Sequence, residues 1–433
     1  MIPRSLDHLL ARRRTLLLQG PMGAFFARLA EVLRANGQQV WKVNFNGGDE
    51  HYYPADGEAV LAYRAPLAAF RAWLDEQISR LEVDTLVLFG QSRPLHAEAM
   101  ALARARGVAV FVFEEGYFRP DYVTLEQDGV NADSSIPSDP VFYRDLNIET
   151  QPTPQPTHQQ FGEVANIAMT YALALWAGSW RYRHYVHHRC LHPVREGLRW
   201  VRGGARKWGS RWAERGLQAF LAAPAMHKRY FLVPLQVHND AQILCHSPYG
   251  EVTDFIQEVI TSFAEHAPAD QWLVLKHHPL DKPYKDYRHL IAARARALGV
   301  ADRVLYLHDQ HLPTLLQHAR GVVTVNSTTG LQAMFHGTPV ITLGDCLYAV
   351  KGLVHPGPLA TFWTAPGEVD RDLFNKFRAY VIRETQLNAS FYADAPGLPA
   401  STGPRRRLAS SADTPTAAAQ AADWSSPTAP TLK

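Results

Sequence analysis

The stretch Thr15-Leu16-Leu17-Leu18-Gln19-Gly20-Pro21-Met22-Gly23-Ala24-Phe25-Phe26 decides how the rest of the chain is read. A short apolar run ends in a glycine-flanked turn. Beyond it Phe25, Phe26, Leu29, Val32 and Leu33 recur with the period of a helix up to Asn36-Gly37. That is strand, tight loop, helix. The unit repeats outward, with strands predicted at Val40–Phe45, Thr85–Phe89 and Val108–Phe113 and helical stretches between them. Alternation of this kind predicts a parallel sheet covered by helices, a Rossmann-like half reaching to about Val123. A second series starts at Tyr230-Phe231-Leu232-Val233-Pro234-Leu235 and continues through a helix striped by Val252, Phe255, Ile256, Val259, Ile260 and Phe263. Its further strands are predicted at 272–275, 304–307, 322–325 and 340–343.

The α/β reading therefore has two Rossmann-like domains facing a central cleft, residues 1–123 and 227–392. Residues 124–226 lack the alternation and include Thr150-Gln151-Pro152-Thr153-Pro154-Gln155-Pro156-Thr157, a linker composition, followed by a basic helical insertion. From Ala393 to Lys433 Pro, Ala, Ser and Thr dominate, and a disordered tail is expected. Two such halves are the architecture of GT-B glycosyltransferases, and some sugar-nucleotide epimerases share it, so the fold alone does not assign a function.

The chain's 433 residues, at about 100–200 per domain, agree with two domains or more. Its 46% hydrophobic and 20% charged content excludes a disordered, collagenous or coiled-coil protein. Lys plus Arg is 44 against 41 Asp plus Glu, a balance too even to argue for nucleic acid. Three widely spaced cysteines, Cys190, Cys245 and Cys346, give neither a disulfide framework nor a metal pattern. The N-terminal residues lack the apolar core of a secretion signal, and no run approaches the roughly 18 uncharged apolar residues of a membrane span. A soluble or peripheral protein of a reducing compartment is expected.

In a parallel sheet the ligand crevice lies past the carboxyl ends of the strands, so the residues there are the candidates for chemistry. Lys276-His277-His278-Pro279 follow one strand, and Asn326-Ser327-Thr328-Thr329-Gly330 follow another and lead into a helix. A hydroxyl-rich loop at a helix start suits a phosphate, and Ser327 or Thr328 as a simple helix cap is the competing reading. Gln19, Gly20 and Gly23 allow close backbone approach, though neither a dinucleotide nor a P-loop fingerprint is present, and an ordinary turn also wants these glycines. Asn46-Gly47-Gly48-Asp49 suits sugar hydroxyls, or an ordinary turn.

The most pointed element is Glu114-Glu115-Gly116-Tyr117-Phe118-Arg119-Pro120, two carboxylates after an apolar strand. A strand-end carboxylate is positioned well enough to act as a nucleophile, and the alternative is a surface ion pair with Arg119. Gln236 and Asp240 either ligate substrate or cap the next helix. No DxD or HExxH stands at these strand ends, so no metal and no cofactor is expected. The group His184, His187, His188 and His192 reads as part of a solvated basic face. Residues 179–216 hold ten Arg or Lys against two acids, interleaved with Trp180, Trp200, Trp208 and Trp212. That pattern favours an anionic membrane surface over nucleic acid, with packing on acidic parts of the same protein as a third possibility.

Taken together, Leu18-Gln19-Gly20-Pro21, the 44–49 and 114–120 elements, Gln236 with Asp240, Lys276–Pro279 and Asn326–Gly330 resemble the capsule polysaccharide biosynthesis/export proteins of the KpsS/LipB type. The resemblance runs from about Leu16 to Gly344. It implies a retaining β-Kdo glycosyltransferase that uses CMP-Kdo to start an oligo-Kdo linker on a phosphatidylglycerol-type lipid. The setting it implies is the cytoplasmic face of the Gram-negative inner membrane, among other capsule-assembly proteins. On that reading Lys276, His278, Pro279, Gln236 and the 326–330 loop hold the nucleotide. Glu115 is the nucleophile, Asp240 or Glu114 the base, and the acceptor lies along Gln19, Gly20, Gly23, Asn46–Asp49 and Arg119. The related chain-extending enzymes carry Glu-Asp-Gly where this chain has Glu114-Glu115-Gly116. A non-enzymatic glycolipid-binding adaptor and a GT-B-like sugar-nucleotide epimerase are the alternatives.

Overall fold

A computed structural model describes residues 2–54, 57–147, 153–187 and 193–399. The first sheet contains β1 (Arg14–Leu17), β2 (Gln39–Asn44), β3 (Val60–Ala62), β4 (Thr85–Phe89), β5 (Ala109–Glu115) and β6 (Tyr122–Gln127). The second contains β7 (Tyr230–Pro234), β8 (Trp272–Lys276), β9 (Val304–Leu307), β10 (Gly321–Thr324) and β11 (Val340–Thr342), and β12 (Gln386–Asn388) returns to the first. The sheet orders are β12-β6-β5-β4-β1-β2-β3 and β11-β10-β7-β8-β9. The second sheet is wholly parallel, and the first is parallel except where β6 pairs antiparallel with β5 and β12. This is the two-domain α/β architecture expected from the alternation.

Each sheet is buried on both faces, which is why its strands read as unbroken apolar runs. Leu17, Val87, Phe111 and Phe113 point into one core of the first lobe, and Leu16, Leu86, Leu88 and Val112 into the other. In the second lobe Leu232, Val274 and Val322 face one core, and Phe231, Leu273 and Val323 the other. The core holding Leu232 also takes in Tyr117, Phe118 and Tyr122 of the first lobe, with Phe377 and Val381 of the helix Arg371–Thr385. The lobes therefore share one apolar seam.

Three features depart from the sequence reading, one being the short edge strand β3, where no strand is predicted. The first sheet does not end at Val123: β6 extends it to Gln127, and three residues from near the end of the chain form its edge. The tail expected from Ala393 is held over residues 393–399. Arg28 donates to the Ala393 carbonyl at 2.9 Å, the Ser390 N–H donates to the Asp394 carbonyl at 3.0 Å, and Leu398 packs on the first core. Averaged over the Pro- and Ala-rich stretch, so few apolar anchors are invisible in composition. Residues 400–433 lie outside the described residues, as do 150–152 of the Pro-rich stretch and His188, Arg189, Cys190 and His192. The rest of that stretch runs along β12, where the Gln155 N–H and carbonyl both bond the Asn388 amide at 2.9 Å.

Two helices of the insertion pack on different lobes. A tyrosine-bearing helix, Phe161–Ala177, lies on the first lobe, and an arginine-rich helix, Pro193–Ala213, reaches the second. Among the described residues no helix is long and apolar enough to cross a membrane.

Phe391 is 3% exposed and its ring meets those of Phe25, Phe89 and Phe113 at 5.0, 4.9 and 6.4 Å. Phe391→Ala is expected to cost about 3–5 kcal/mol of unfolding free energy in urea titration. A cost below about 1 kcal/mol would mean that the chain's return to the first sheet is not part of its core.

Candidate active site

The carboxyl ends of both sheets turn toward the seam. In the first lobe Glu114 and Glu115 are the last two residues of β5, so by strand alternation their side chains leave on opposite faces. Glu114 accepts the Glu115 N–H at 3.0 Å. Its carboxylate lies beside Gly90, whose left-handed backbone at φ 75° brings the chain past both Glu114 and Arg93. Burial pushes the Glu114 carboxyl up to about 7, against the pull of the Glu115 N–H, Arg93 and Arg119. Arg119 is tied by its Nε to the Gly116 carbonyl at 3.2 Å, and its charge acts on both Glu114 and, across the seam, His278.

In the second lobe Lys276 closes β8 with its Nζ buried on the His308 carbonyl at 3.1 Å, and burial lowers it to about 8. His278 precedes Pro279 and caps a short 3-10 turn, its Nδ1 accepting the Leu280 N–H at 3.2 Å. Burial holds its pKa down to about 4, with Lys276 and Arg119 acting the same way, so the ring is neutral. With Nδ1 an acceptor, the ring proton sits on Nε2, a neutral donor free for an oxyanion.

Other candidates are occupied within the fold. Gln236 Nε2 donates to Asp240 and to Asn326 Oδ1, both at 3.1 Å, and Asp240 caps the following helix by accepting the Gln242 N–H at 3.0 Å. Ser327 Oγ accepts the Thr329 N–H at 3.2 Å, which makes it the cap of the seven-residue helix Thr329–Phe335, whereas Thr328 makes no side-chain cap bond. Gly330 is small because Tyr348 Oη lies 2.5 Å from where its Cβ would be.

The 44–49 stretch and Gln19 form a seat for the tyrosine-bearing helix. Tyr171 Oη donates to Asp49 Oδ1 at 2.8 Å and accepts from Asn46 Nδ2 at 2.9 Å, and Gln19 Nε2 donates to Tyr185 Oη at 2.7 Å. A Cβ on Gly47 would stand 2.2 Å from the Ala174 carbonyl oxygen, and one on Gly48 2.7 Å from the Tyr171 ring. These glycines admit a helix, and the polar groups expected to meet an acceptor are turned to it. Gly20 and Gly23 sit against Phe26 and Ile167, with the Gly20 carbonyl 3.5 Å from Arg93.

The sequence reading passed over Gln91 and Arg93. Gln91 donates to Asp133 at 2.7 Å, and Asp133 in turn lies 3.7 Å from His246 of the second lobe, a polar bridge over the seam. Both follow the end of β4, the same strand-end position that marks Glu114 and His278. Among the described residues no three His, Cys, Asp or Glu side chains come together as a metal ion needs.

A model of the family described as capsule polysaccharide biosynthesis protein matches residues 84–392. The chain is 42% identical to the capsule polysaccharide export protein KpsS of Escherichia coli, over 90% of this chain and 99% of that one. It is 37% identical to the capsule polysaccharide modification protein LipB of Neisseria meningitidis serogroup B, over 91% and 95%. Among solved structures it is similar to KpsC, beta Kdo 2,7 transferase, of Thermosulfurimonas dismutans, at 16% identity and TM-score 0.40, over 84% of this chain and 89% of that one.

Removing the Tyr171 hydroxyl deletes a donor to a buried carboxylate. Tyr171→Phe is expected to destabilise the protein by about 1–3 kcal/mol in chemical denaturation. An unchanged midpoint would show that Asp49 does not depend on the helix.

Proposed function

The chain belongs to the capsule polysaccharide biosynthesis protein family, and from that premise we propose that it transfers Kdo from CMP-Kdo, with retention, onto a phosphatidylglycerol-type lipid. The observation that carries the reading is that the Arg119 charge of one lobe acts both on Glu114 beside it and on neutral His278 of the other lobe. The cytidylate lies on the second lobe, its phosphate taking the His278 Nε2 proton as a hydrogen bond, with Lys276 and the Ser327-Thr328 loop behind it. Arg119 adds positive charge from the opposite side. A single leaving phosphate asks less charge compensation than a diphosphate, so side chains suffice and the reading calls for no metal.

Glu115 attacks the anomeric carbon. The bond from that carbon to the phosphate oxygen breaks, CMP leaves with the electron pair, and a glycosyl ester on Glu115 results. The acceptor hydroxyl oxygen then attacks the same carbon and displaces the Glu115 carboxylate, its proton passing through a water to Glu114, whose side chain leaves β5 on the other face. Two inversions give retention. Asp240, already a helix cap held by Gln236, is less suited to that proton than Glu114, whose carboxyl titrates near neutrality.

The lipid acceptor places the protein on the cytoplasmic face of the inner membrane, alongside other capsule-assembly proteins. Two exposed apolar stripes support this: Phe161, Met169, Leu173, Trp176 and Trp180 on one insertion helix and its end, and Leu198, Val201, Trp208 and Trp212 on the other. The arginine-rich helix faces the second lobe with Arg202 and Arg206, whose guanidinium groups bond backbone carbonyls at 283, 284, 282 and 285. Its tryptophans are left outward, the arrangement of an interfacial helix.

Glu115→Gln is expected to lower transfer by about a thousandfold or more while CMP affinity, read by calorimetry, stays within about twofold. Near-wild-type turnover would remove Glu115 from the mechanism. Because the base must be ionised, transfer by the wild type should rise with pH and level off above about 7. Glu114→Gln should be slow at every pH and lose that inflection; an inflection that survives the substitution belongs to another group.

A further inference from the structure

A cavity of about 260 Å³ lies between the arginine-rich helix and the second lobe, beyond the ends of β8 and β9. Its wall takes Arg206, Gly209 and Ser210 from the helix and Lys282, Lys285 and Arg288 from the lobe, with Asp286 as its one carboxylate. Some of these cations are matched. Lys282 pairs with Asp309, Arg206 is 3.9 Å from Asp286, and the lining His308 gives Nδ1 to Glu214 at 2.6 Å. Asp286 also feels the charge of Arg288, whose backbone N–H it accepts at 3.0 Å, and neither Lys285 nor Arg288 has a carboxylate within ion-pairing distance of its side chain among the described residues, so the cations outnumber the carboxylates. The wall is therefore cationic.

The second observation is His277, also in the wall and 1% exposed. Its Nδ1 is 2.6 Å from Tyr306 Oη, and that oxygen accepts the Tyr287 N–H at 3.4 Å, which leaves the phenol hydrogen for Nδ1. The ring proton then sits on Nε2, and this buried atom has no hydrogen-bond partner. A buried donor without an acceptor costs stability, so one beside an unneutralised cluster of cations needs explanation.

We propose that this cavity is a phosphate-binding site, separate from the crevice of Glu114 and His278. A phosphate monoester brings about two negative charges and three acceptor oxygens, and a diester one charge and two such oxygens, and either suits a wall with more cations than carboxylates and a neutral N–H donor better than a carboxylate does. The volume falls just below the roughly 300 Å³ at which small-molecule sites begin, enough for a phosphate with a glycerol-sized substituent and too small for a nucleotide sugar. The ligand is a phosphate monoester or diester of that size, supplied either by an acidic phospholipid headgroup or by a soluble ester. Arg206 lies on the helix that carries the outward stripe of Val201, Trp208 and Trp212, so a headgroup seated here would hold that stripe to the bilayer. The cavity takes no part in the proposed transfer.

The test is equilibrium dialysis of the full chain against radiolabelled glycerol 3-phosphate at low salt, with no sugar donor present. Saturable binding is expected. Lys285→Ala with Arg288→Ala should weaken it by about tenfold or more, and His277→Phe by several-fold, with melting temperatures unchanged for the exposed pair. CMP should not displace the ester, and His278→Ala should leave its binding intact. Vesicles of phosphatidylglycerol in phosphatidylcholine that displace the ester identify the lipid headgroup as the source, and vesicles that do not identify a soluble ester. Absence of saturable binding, indifference to the double substitution, or competition by CMP would overturn the proposal. Because no transfer is measured, an inactive protein with an intact cavity still gives a positive result.

Discussion

The buried amide of Gln386 holds together the turn on which the crevice depends. Its Oε1 accepts the Tyr117 N–H at 2.9 Å, and its Nε2 donates to Thr124 Oγ1 at 3.0 Å, which itself donates to the Glu115 carbonyl at 3.0 Å. The chain on both sides of Gly116 is thus fixed from one side chain near the far end of the sequence. Gly116 completes the constraint, because a Cβ there would stand 2.0 Å from the Tyr122 carbonyl oxygen. Glu114, Glu115 and Arg119 inherit their positions from this turn. The same return of the chain carries the Arg371–Thr385 helix across the seam, so the geometry of the candidate site and the joining of the lobes share one cause.

Burial then sets the protonation states. It raises Glu114 to about 7, lowers His278 to about 4 and lowers Lys276 to about 8. Each shift disfavours the charged form, as expected where two lobes exclude water from the ends of their sheets. The outcome is a crevice with a neutral imidazole donor, a carboxyl group poised to exchange a proton, and arginines supplying the fixed charge. The insertion contributes at a distance: one helix closes over Asp49 and, with Tyr185 beyond its end, over Gln19, and the other walls off a cationic cavity on the second lobe.

Most of the parallel framework was legible in the sequence because strands buried on two faces are apolar throughout, as in the fully buried β7. β6 escaped notice because its Thr124 and Glu126 turn inward onto Gln386 and onto Tyr117, partners the local pattern does not reveal. β12 is three residues long, with a polar residue at each end. The candidate site was legible where its residues follow strand ends in sequence, as at Glu114, Arg119 and His278. It was not legible where chemistry is answered from afar: Asp49 meets Tyr171 across 122 residues, and Gln19 meets Tyr185 across 166. A glycine that admits a packed helix and one that admits a ligand look the same until the neighbour is seen, as Gly47 and Gly48 show.

The most direct measurement is the mass of phosphatidylglycerol recovered after incubation with CMP-Kdo and the full-length protein. The account predicts lipid heavier by one Kdo residue, with CMP released in equal amount. Lipid of unchanged mass beside a protein that has bound CMP-Kdo would contradict it.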